Sequence, residues 1–134
     1  MKRTFIDAGV LVAAARGVGD ISEKALEILQ DSEREFASSI FIKLEVLPKA
    51  IYNRQTDEAE FYETFFSAVT YWANDVERII EEAYRIACTY GLASMDSLHV
   101  AAALLVGAEE LVTTEKPTKP MYRVTGIQVI SIWD

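Results

Sequence analysis

Short runs of β-branched and aromatic residues alternate along the chain with longer segments whose apolar residues recur every three or four positions. The short runs predict four β-strands, at residues 3–6 (RTFI), 34–38 (REFAS), 110–113 (ELVT) and 127–132 (IQVISI). The longer segments have the period of amphipathic helices. This alternation predicts an α/β fold in which helices cover a mostly parallel sheet.

Three of the helical segments carry a capping pattern, in which a residue that can cap a helix is followed three positions later by Glu. A cap of this kind satisfies free amide groups at the start of a helix. The pairs are Asp20 with Glu23, Asp57 with Glu60, and Asn74 with Glu77. The pattern predicts a helix start at each pair. A further helix is expected to follow Ser39, with Pro48 kinking or tightening it.

The segment that begins at Asp57 is apolar over more than one helical face. Its stripe consists of Phe61, Phe65, Ala68 and Trp72, and it is widened by Tyr62, Phe66 and Val69. A helix that is apolar over so wide a surface has two explanations. It forms a homodimer interface, or it is buried between the sheet and neighbouring helices of its own chain. The sequence favours neither.

Length and composition predict one domain covering residues 1–134. The chain has 134 residues and is 51% hydrophobic, enough for one core. The longest apolar stretch, AAALLVGA, is shorter than the roughly 18 to 20 residues of a membrane span, and the first residues lack the apolar region of a signal peptide. We therefore expect a cytoplasmic protein that does not bind membranes.

Charge and cysteine content narrow the classes of ligand. A net charge of −8 argues against broad, charge-driven binding to nucleic acid, although acids that converge on a cation reverse the local field. The single cysteine, Cys88, forms no internal disulfide and is expected to be a small buried hydrophobe. Cysteine and histidine nowhere have the spacing of a zinc site, so a bound metal would be held by oxygen atoms.

Four acids are predicted to approach one edge of the sheet. Asp7 directly follows the first strand and is the only charge in the run TFIDAGVLVAA, and Glu115 comes two residues after the strand 110–113. Asp96 lies in the first turn of a helix capped by Ser94, and Glu45 lies about six residues into the helix after the second strand. Ligands of such sheets bind beyond the carboxyl ends of the strands, where these acids are expected.

Each acid alone also has a structural explanation, such as the helix dipole for Asp96. Together, four carboxylates suit a hard divalent cation, and such a site hydrolyses phosphate esters. The sequence thus indicates a metal-dependent phosphodiesterase. A dehalogenase-type phosphatase is disfavoured because Gly9 stands where a second Asp is needed, and a phospho-receiver domain is disfavoured because no acidic pair follows the first strand.

Three segments resemble the acidic motifs of PIN-domain ribonucleases of the VapC toxin type. They are FIDAGVLVAA, SSIFIKLEVLPKAI and ASMDSLHVAAALLVGAEELVTTEK, in the family's order and at its usual distances, so the resemblance extends over nearly the whole chain. The resemblance implies a three-layer α/β/α domain and a site for Mg²⁺ or Mn²⁺ formed by Asp7, Glu45, Asp96 and Glu115. It further implies RNA as substrate, homodimers and a small antitoxin protein as partner.

Two features depart from the family pattern. Ala8 and Gly9 stand where the family usually has Thr or Ser followed by Asn, and Glu115 stands where Asp is more common. Loss of groups that orient metal ligands costs about 10- to 100-fold in affinity or activity. The alternative function is therefore a catalytically weakened nucleic-acid-binding or regulatory module.

Several other polar residues lie near these motifs. His99 is expected to be a hydrogen-bonded packing residue rather than a ligand, and Ser97 either bonds a site carboxylate or caps its helix. Five cations flank the motifs and would contact substrate phosphates or simply face solvent: Lys43, Lys49, Lys116, Lys119 and Arg123.

Overall fold

In the computed structural model, which describes residues 1–133, helices cover both faces of a parallel β-sheet. The strands are β1 (Lys2–Ile6), β2 (Arg34–Ser39), β3 (Tyr71–Ala73), β4 (Glu110–Thr113) and β5 (Gln128–Ser131). The helices are α1 (Ala8–Arg16), α2 (Gly19–Leu29), α3 (Ile40–Tyr52), α4 (Thr56–Ala68), α5 (Val76–Tyr90) and α6 (Ser94–Leu105), with a short 3₁₀ helix at Pro120–Arg123. The predicted α/β class is confirmed.

The sheet has the strand order β3-β2-β1-β4-β5, and every neighbouring pair is parallel. On β1, Phe5 is in register with Ala37 of β2 and Leu111 of β4. Helix α1 contacts α2, α3 and α4, whereas α5 contacts α6 and the 3₁₀ helix. The chain moves from β1 to β2 to β3 in one direction across the sheet and returns in the opposite direction from β3 to β4. Because crossovers between parallel strands are right-handed, this reversal places the two groups of helices on opposite faces.

The core lies on both sides of β1 and β4. Phe5, Ile6 and Leu111 are fully buried, and the run 101–103 of three alanines on α6 is fully buried as well. Alanine side chains let a helix backbone approach the sheet closely. The position of α6 against the sheet is therefore set by its small residues.

Helix α4 is buried within its own chain. Tyr62, Phe65 and Phe66 are buried, and the Phe65 ring lies 5.8 Å from the ring of Phe36 on β2, centroid to centroid. The helix ends at Ala68, so Trp72 belongs to β3 and not to the helical stripe. Packing inside the chain accounts for the wide apolar surface. The exposed apolar side chains lie instead on other elements, among them Ile40, Leu44, Ile51 and Tyr52 at α3.

The predicted helix starts are close but not exact. Helix α2 begins at Gly19 after Val18, α4 begins at Thr56 after Gln55, and neither has a side-chain cap. Helix α5 begins after Asp75, whose carboxylate accepts from the Arg78 amide, so the predicted cap is one residue too early. Ser39 does cap α3. Pro48 lies inside α3 without ending it.

Two further findings bear on the sequence predictions. Cys88 is exposed on α5, so its expected burial was wrong. The three-residue strand β3 was not predicted, because its residues follow an apolar helical segment without a break.

Within residues 1–133, none of the helices combines the length and apolarity that a membrane crossing requires.

Candidate functional site

Asp7 occupies the single position between the end of β1 and the start of α1. Its side chain caps α1, because Oδ1 accepts a hydrogen bond of 2.9 Å from the Ala8 amide. Oδ2 accepts a second hydrogen bond, of 2.7 Å, from the Thr113 hydroxyl. The residue is 7% exposed. An ionised carboxylate can accept about four hydrogen bonds, so this buried group keeps acceptor capacity for another ligand.

The end of β4 connects Asp7 to Glu115. The Thr113 hydroxyl that donates to Asp7 also accepts a hydrogen bond of 3.1 Å from the Glu115 amide. The Glu115 carbonyl accepts from the Tyr122 hydroxyl at 2.9 Å and from the Ser131 hydroxyl at 2.8 Å. The backbone of Glu115 is thus fixed on both sides, while its carboxylate lies 4.0 Å from the Lys119 ammonium.

Asp96 is the third residue of α6, in the first turn of the helix. Burial raises the pKa of its carboxyl above the usual value, and the negative charges of Asp7 and Glu115 raise it further. Interactions with His99 and Lys119 act in the opposite direction. Asp7 and Glu115 therefore lie close enough to Asp96 to act on its carboxyl.

Glu45 lies on α3, and its carboxylate contacts His99 of α6. The His99 Nε2 atom lies 3.1 Å from Glu45 Oε1, which requires the proton on Nε2 if the carboxylate accepts. His99 is 2% exposed, and its Nδ1 atom has no hydrogen-bond partner within residues 1–133. The prediction that His99 is a hydrogen-bonded packing residue is confirmed. Ser97 donates to the Ser94 carbonyl at 2.7 Å, so it bonds its own helix.

The glycine in the first motif is required by a close contact. A Cβ atom added at Gly9 would lie 2.2 Å from the Thr114 hydroxyl oxygen. The space that a larger residue would occupy at position 9 is therefore filled by a side chain from the end of β4. Together with the Thr113 bond to Asp7, this puts two hydroxyl groups beside the first motif, which itself has none. In the sequence, these two hydroxyl groups belong to the motif TTEK, which could have drawn attention to them.

The chemistry of the donors fits a hard divalent cation, because the four acids offer carboxylate oxygens and the repulsion at Asp96 is the kind that a cation relieves. The side chains as they stand do not form a finished ligand set. Among residues 1–133, no group of three or more His, Cys, Asp or Glu side chains is close enough to hold a metal ion.

The flanking cations have different surroundings. Lys43 lies over the Phe66 ring, with its ammonium 5.8 Å from the centroid, and Lys116 lies over the Trp133 ring at 5.1 Å. Lys49 lines a cleft that also includes Glu45 and Arg16. Arg16 was not among the residues singled out from the sequence, although it lies only two residues after the first motif.

The fold and the acids define the class of protein: a parallel α/β domain with carboxylates at the carboxyl edge of its central strands. A family model described as "PIN domain" matches residues 4–119. The chain therefore belongs to the PIN-domain family, whose members are usually metal-dependent nucleases, as the resemblance of the three motifs indicated.

Solved structures of toxin-antitoxin complexes share the fold. A toxin-antitoxin complex from Klebsiella pneumoniae has a TM-score of 0.75 at 21% identity, and the match covers 98% of each chain. VapBC2 from Rickettsia felis, bound to a DNA fragment from its promoter, has a TM-score of 0.73 at 16% identity over 98% of this chain and 99% of the other. DNA-bound VapBC from Salmonella typhimurium has a TM-score of 0.70 at 13% identity, with the same coverage. A comparison with curated proteins finds no significant match.

Proposed function

We propose that this protein is a divalent-metal-dependent endoribonuclease and the toxin of a toxin-antitoxin pair. The observation that supports the proposal is the surroundings of Asp96, a half-buried carboxyl whose pKa is raised by burial and then by the negative charges of Asp7 and Glu115. Negative charges that act on a half-buried carboxylate cost free energy in a metal-free protein, and they are useful where a cation binds. Glu45, which contacts His99 of α6, is the fourth proposed ligand.

The chain's own residues hold the acids in place. Thr113 orients Asp7, and His99 orients Glu45. Bound Mg²⁺ or Mn²⁺ would supply an activated water and stabilise negative charge on the phosphate oxygens. A carboxylate that is not occupied as a ligand can accept the proton released by the attacking water.

The test is cleavage of structured RNA by the purified protein in the presence of Mn²⁺. Wild-type protein should cleave, a chelator should stop the reaction, and Asp96→Asn should abolish it. The Asp96→Asn variant, purified in the same way, also controls for contaminating nucleases. Equal cleavage by the variant would contradict the proposal.

A second candidate function is a PIN-domain protein that binds nucleic acid or regulates without cutting. Ala8 and Gly9 favour it, because the first motif lacks a hydroxyl and an amide of its own. A Mn²⁺ titration separates the two candidates. Binding only at millimolar Mn²⁺, together with no cleavage, would favour the second function over the first.

The proposed partner is a small antitoxin protein, by analogy with the complexes named above, and the proposed location is the cytoplasm. Expression of the protein should arrest growth, Asp7→Asn should relieve the arrest, and a short neighbouring reading frame should encode the antitoxin. Expression without toxicity would count against a toxin. A homodimer remains a prediction, which light scattering at micromolar concentration would test.

A further inference from the structure

A cleft of about 430 Å³ opens beside Glu45, between α1, α3 and α4. This volume lies within the range of about 300 to 1,000 Å³ that is typical of ligand sites. The polar residues that line it include Arg16, Glu45, Lys49, Asn53, Glu58 and Tyr62. Glu45 belongs both to this cleft and to the four proposed metal ligands, so the cleft adjoins at least one of those ligands.

The polar residues of the α3 wall form one column. Glu45, Lys49 and Asn53 are separated by four residues each, so they follow one another along one face of the helix. At a rise of about 1.5 Å per residue, Lys49 lies roughly 6 Å and Asn53 roughly 12 Å along the helix axis from Glu45. Along this wall, the side chains are thus a carboxylate, then a cation, then an amide.

Arg16 supplies a second cation from the opposite wall, at the end of α1. Its Nε atom lies 3.3 Å from the Glu58 carboxylate, and its side chain remains 64% exposed. Of the Arg16 nitrogens, only Nε donates to Glu58, so the terminal nitrogens of the guanidinium are available for another acceptor. Lys49 is exposed, and its side chain has no hydrogen bond or ion pair with any residue of the part described, 1–133.

The floor of the cleft contains a buried phenol. Tyr62 is fully buried, and its hydroxyl faces the Glu58 carboxylate. Burial raises the pKa of this phenol, and the negative charge of Glu58 and a hydrogen bond to it raise the pKa further, so the hydroxyl stays protonated. The cleft therefore combines two cations, an amide and a phenol with the carboxylates of Glu45 and Glu58.

We propose that this cleft binds the backbone of a single-stranded RNA segment beside the bond that is cut, with Arg16 and Lys49 each contacting a phosphate. The inference rests on the proposed function for its substrate class. Phosphate contacts from cations supply most of the affinity of proteins for nucleic acid, and a chain with a net charge of −8 has to provide them locally. A single strand is proposed because sequence-specific recognition of RNA by proteins mostly targets single-stranded loops and ends.

The experiment measures RNA binding without cleavage. All variants are made in the Asp96→Asn background, and binding of a fluorescently labelled single-stranded RNA oligonucleotide of mixed sequence is followed by anisotropy in Mn²⁺. The double variant Arg16→Ala with Lys49→Ala should weaken binding about tenfold or more. It should also reduce the slope of log affinity against log salt by about 1.4, because each lost phosphate contact removes about 0.7 for single strands.

Two further variants make the test specific. The control, Arg78→Ala with Arg85→Ala, removes the same charge from α5 on the other face of the sheet, where Arg85 is paired with Glu82 as Arg16 is with Glu58. It should leave RNA binding nearly unchanged. Glu58→Gln should change affinity in the opposite direction, tightening binding a few-fold by releasing Arg16 and removing a negative charge.

Equal weakening by the cleft variant and the α5 control would overturn the inference, and so would wild-type affinity in the cleft variant. The latter would leave the cleft to a protein partner. Thermal melting shows whether each variant is folded. The proposed function is tested separately, by Mn²⁺ titration and RNA cleavage with Asp96 intact. If the protein failed to bind Mn²⁺ in those experiments, the RNA affinities of the cleft and control variants could still be compared.

Discussion

At the scale of single residues, the hydroxyl of Thr113 forms hydrogen bonds with two acidic residues of the site. It donates to Asp7 at 2.7 Å and accepts from the Glu115 amide at 3.1 Å. Groups that orient metal ligands typically contribute 10- to 100-fold to metal affinity. The first motif has no hydroxyl of its own, so this bond from β4 carries the orientation of Asp7.

Substitution of Thr113 tests this role. Thr113→Val keeps the shape of the side chain and removes the hydroxyl, so Mn²⁺ affinity should fall by about 10- to 100-fold. Thr113→Ser keeps the hydroxyl and should retain most of the affinity. Calorimetric titration with Mn²⁺ measures both variants, and an unchanged affinity in Thr113→Val would contradict the assigned role.

The ionised Asp96 carboxylate is predicted to lower the stability of the metal-free protein. Its pKa is raised in the folded protein, so the folded state binds a proton more readily than the unfolded state, and the ionised carboxylate destabilises the metal-free fold. In a chelating buffer near neutral pH, Asp96→Asn should therefore melt a few degrees higher than wild type. The difference should shrink as the pH falls through the raised pKa towards the usual value of 3.8, because the wild-type carboxyl is then neutral.

Scanning calorimetry over a pH series measures this difference. A variant that melts lower than wild type at neutral pH would show that Asp96 stabilises the metal-free fold. A difference that stays constant with pH would show that charge is not its cause.

The spacing of the four acids in the sequence was enough to suggest one edge, because parallel strands end there and helices start there. Asp7 and Ser39 illustrate the rule, since each stands directly between a strand and the helix that it caps. The contacts of Thr113, Thr114 and Arg16 were not predictable in this way. They join residues that are far apart in the chain, and their geometry depends on how the elements pack.

At the scale of elements, the start of α1 and the loop after β4 fit together through Gly9 and Thr114. Gly9 lies in the first turn of α1, where an alanine would ordinarily stabilise the helix by up to about 1 kcal/mol. The Thr114 hydroxyl lies 2.2 Å from the place of the missing Cβ atom, so overlap should more than cancel this gain.

A double-mutant cycle tests the fit. Gly9→Ala should lower the free energy of unfolding by about 1 to 3 kcal/mol, as is typical when atoms are forced into a filled space. In the Thr114→Ala background the nearest remaining side-chain atom is Cβ at 3.3 Å, so the same substitution should be close to neutral or stabilising. Chemical denaturation measures all four proteins. Equal effects of Gly9→Ala in both backgrounds would rule out the contact.

Periodicity predicted most elements, and it failed where packing replaced local signals. The strands β1, β2, β4 and β5 were predicted to within about one residue of their bounds, because alternating or apolar runs with flanking polar residues are strong local signals. Strand β3 has three residues and follows a helix rich in apolar residues, so it has no period of its own. The helix α4 looked suited to a subunit interface, but only the arrangement of the other helices shows that its rings are covered within the chain.

At the scale of the whole molecule, the buried acid at one end of β4 has different surroundings from the acids at the other end. Glu110 is fully buried at the opposite end of β4, where it accepts from Arg34 and Thr4 at 2.7 Å each and is 3.6 Å from Lys2. That acid is paired with cations from two strands. At the carboxyl edge, Asp7 and Glu115 raise the pKa of Asp96. Lys119 acts in the opposite direction but offsets only part of this effect, because the pKa of Asp96 stays above its usual value.

The central claim is that one divalent-cation site is formed by Asp7, Glu45, Asp96 and Glu115. It is tested most directly by X-ray diffraction, at the manganese absorption edge, from crystals grown with MnCl₂. The account predicts an anomalous peak at ligand distance from Asp7 and Asp96, with Glu115 and Glu45 turned towards it directly or through water. The same peak should be absent in crystals of Asp96→Asn. A peak elsewhere, or none at this edge in wild-type crystals that contain Mn²⁺, would contradict the account.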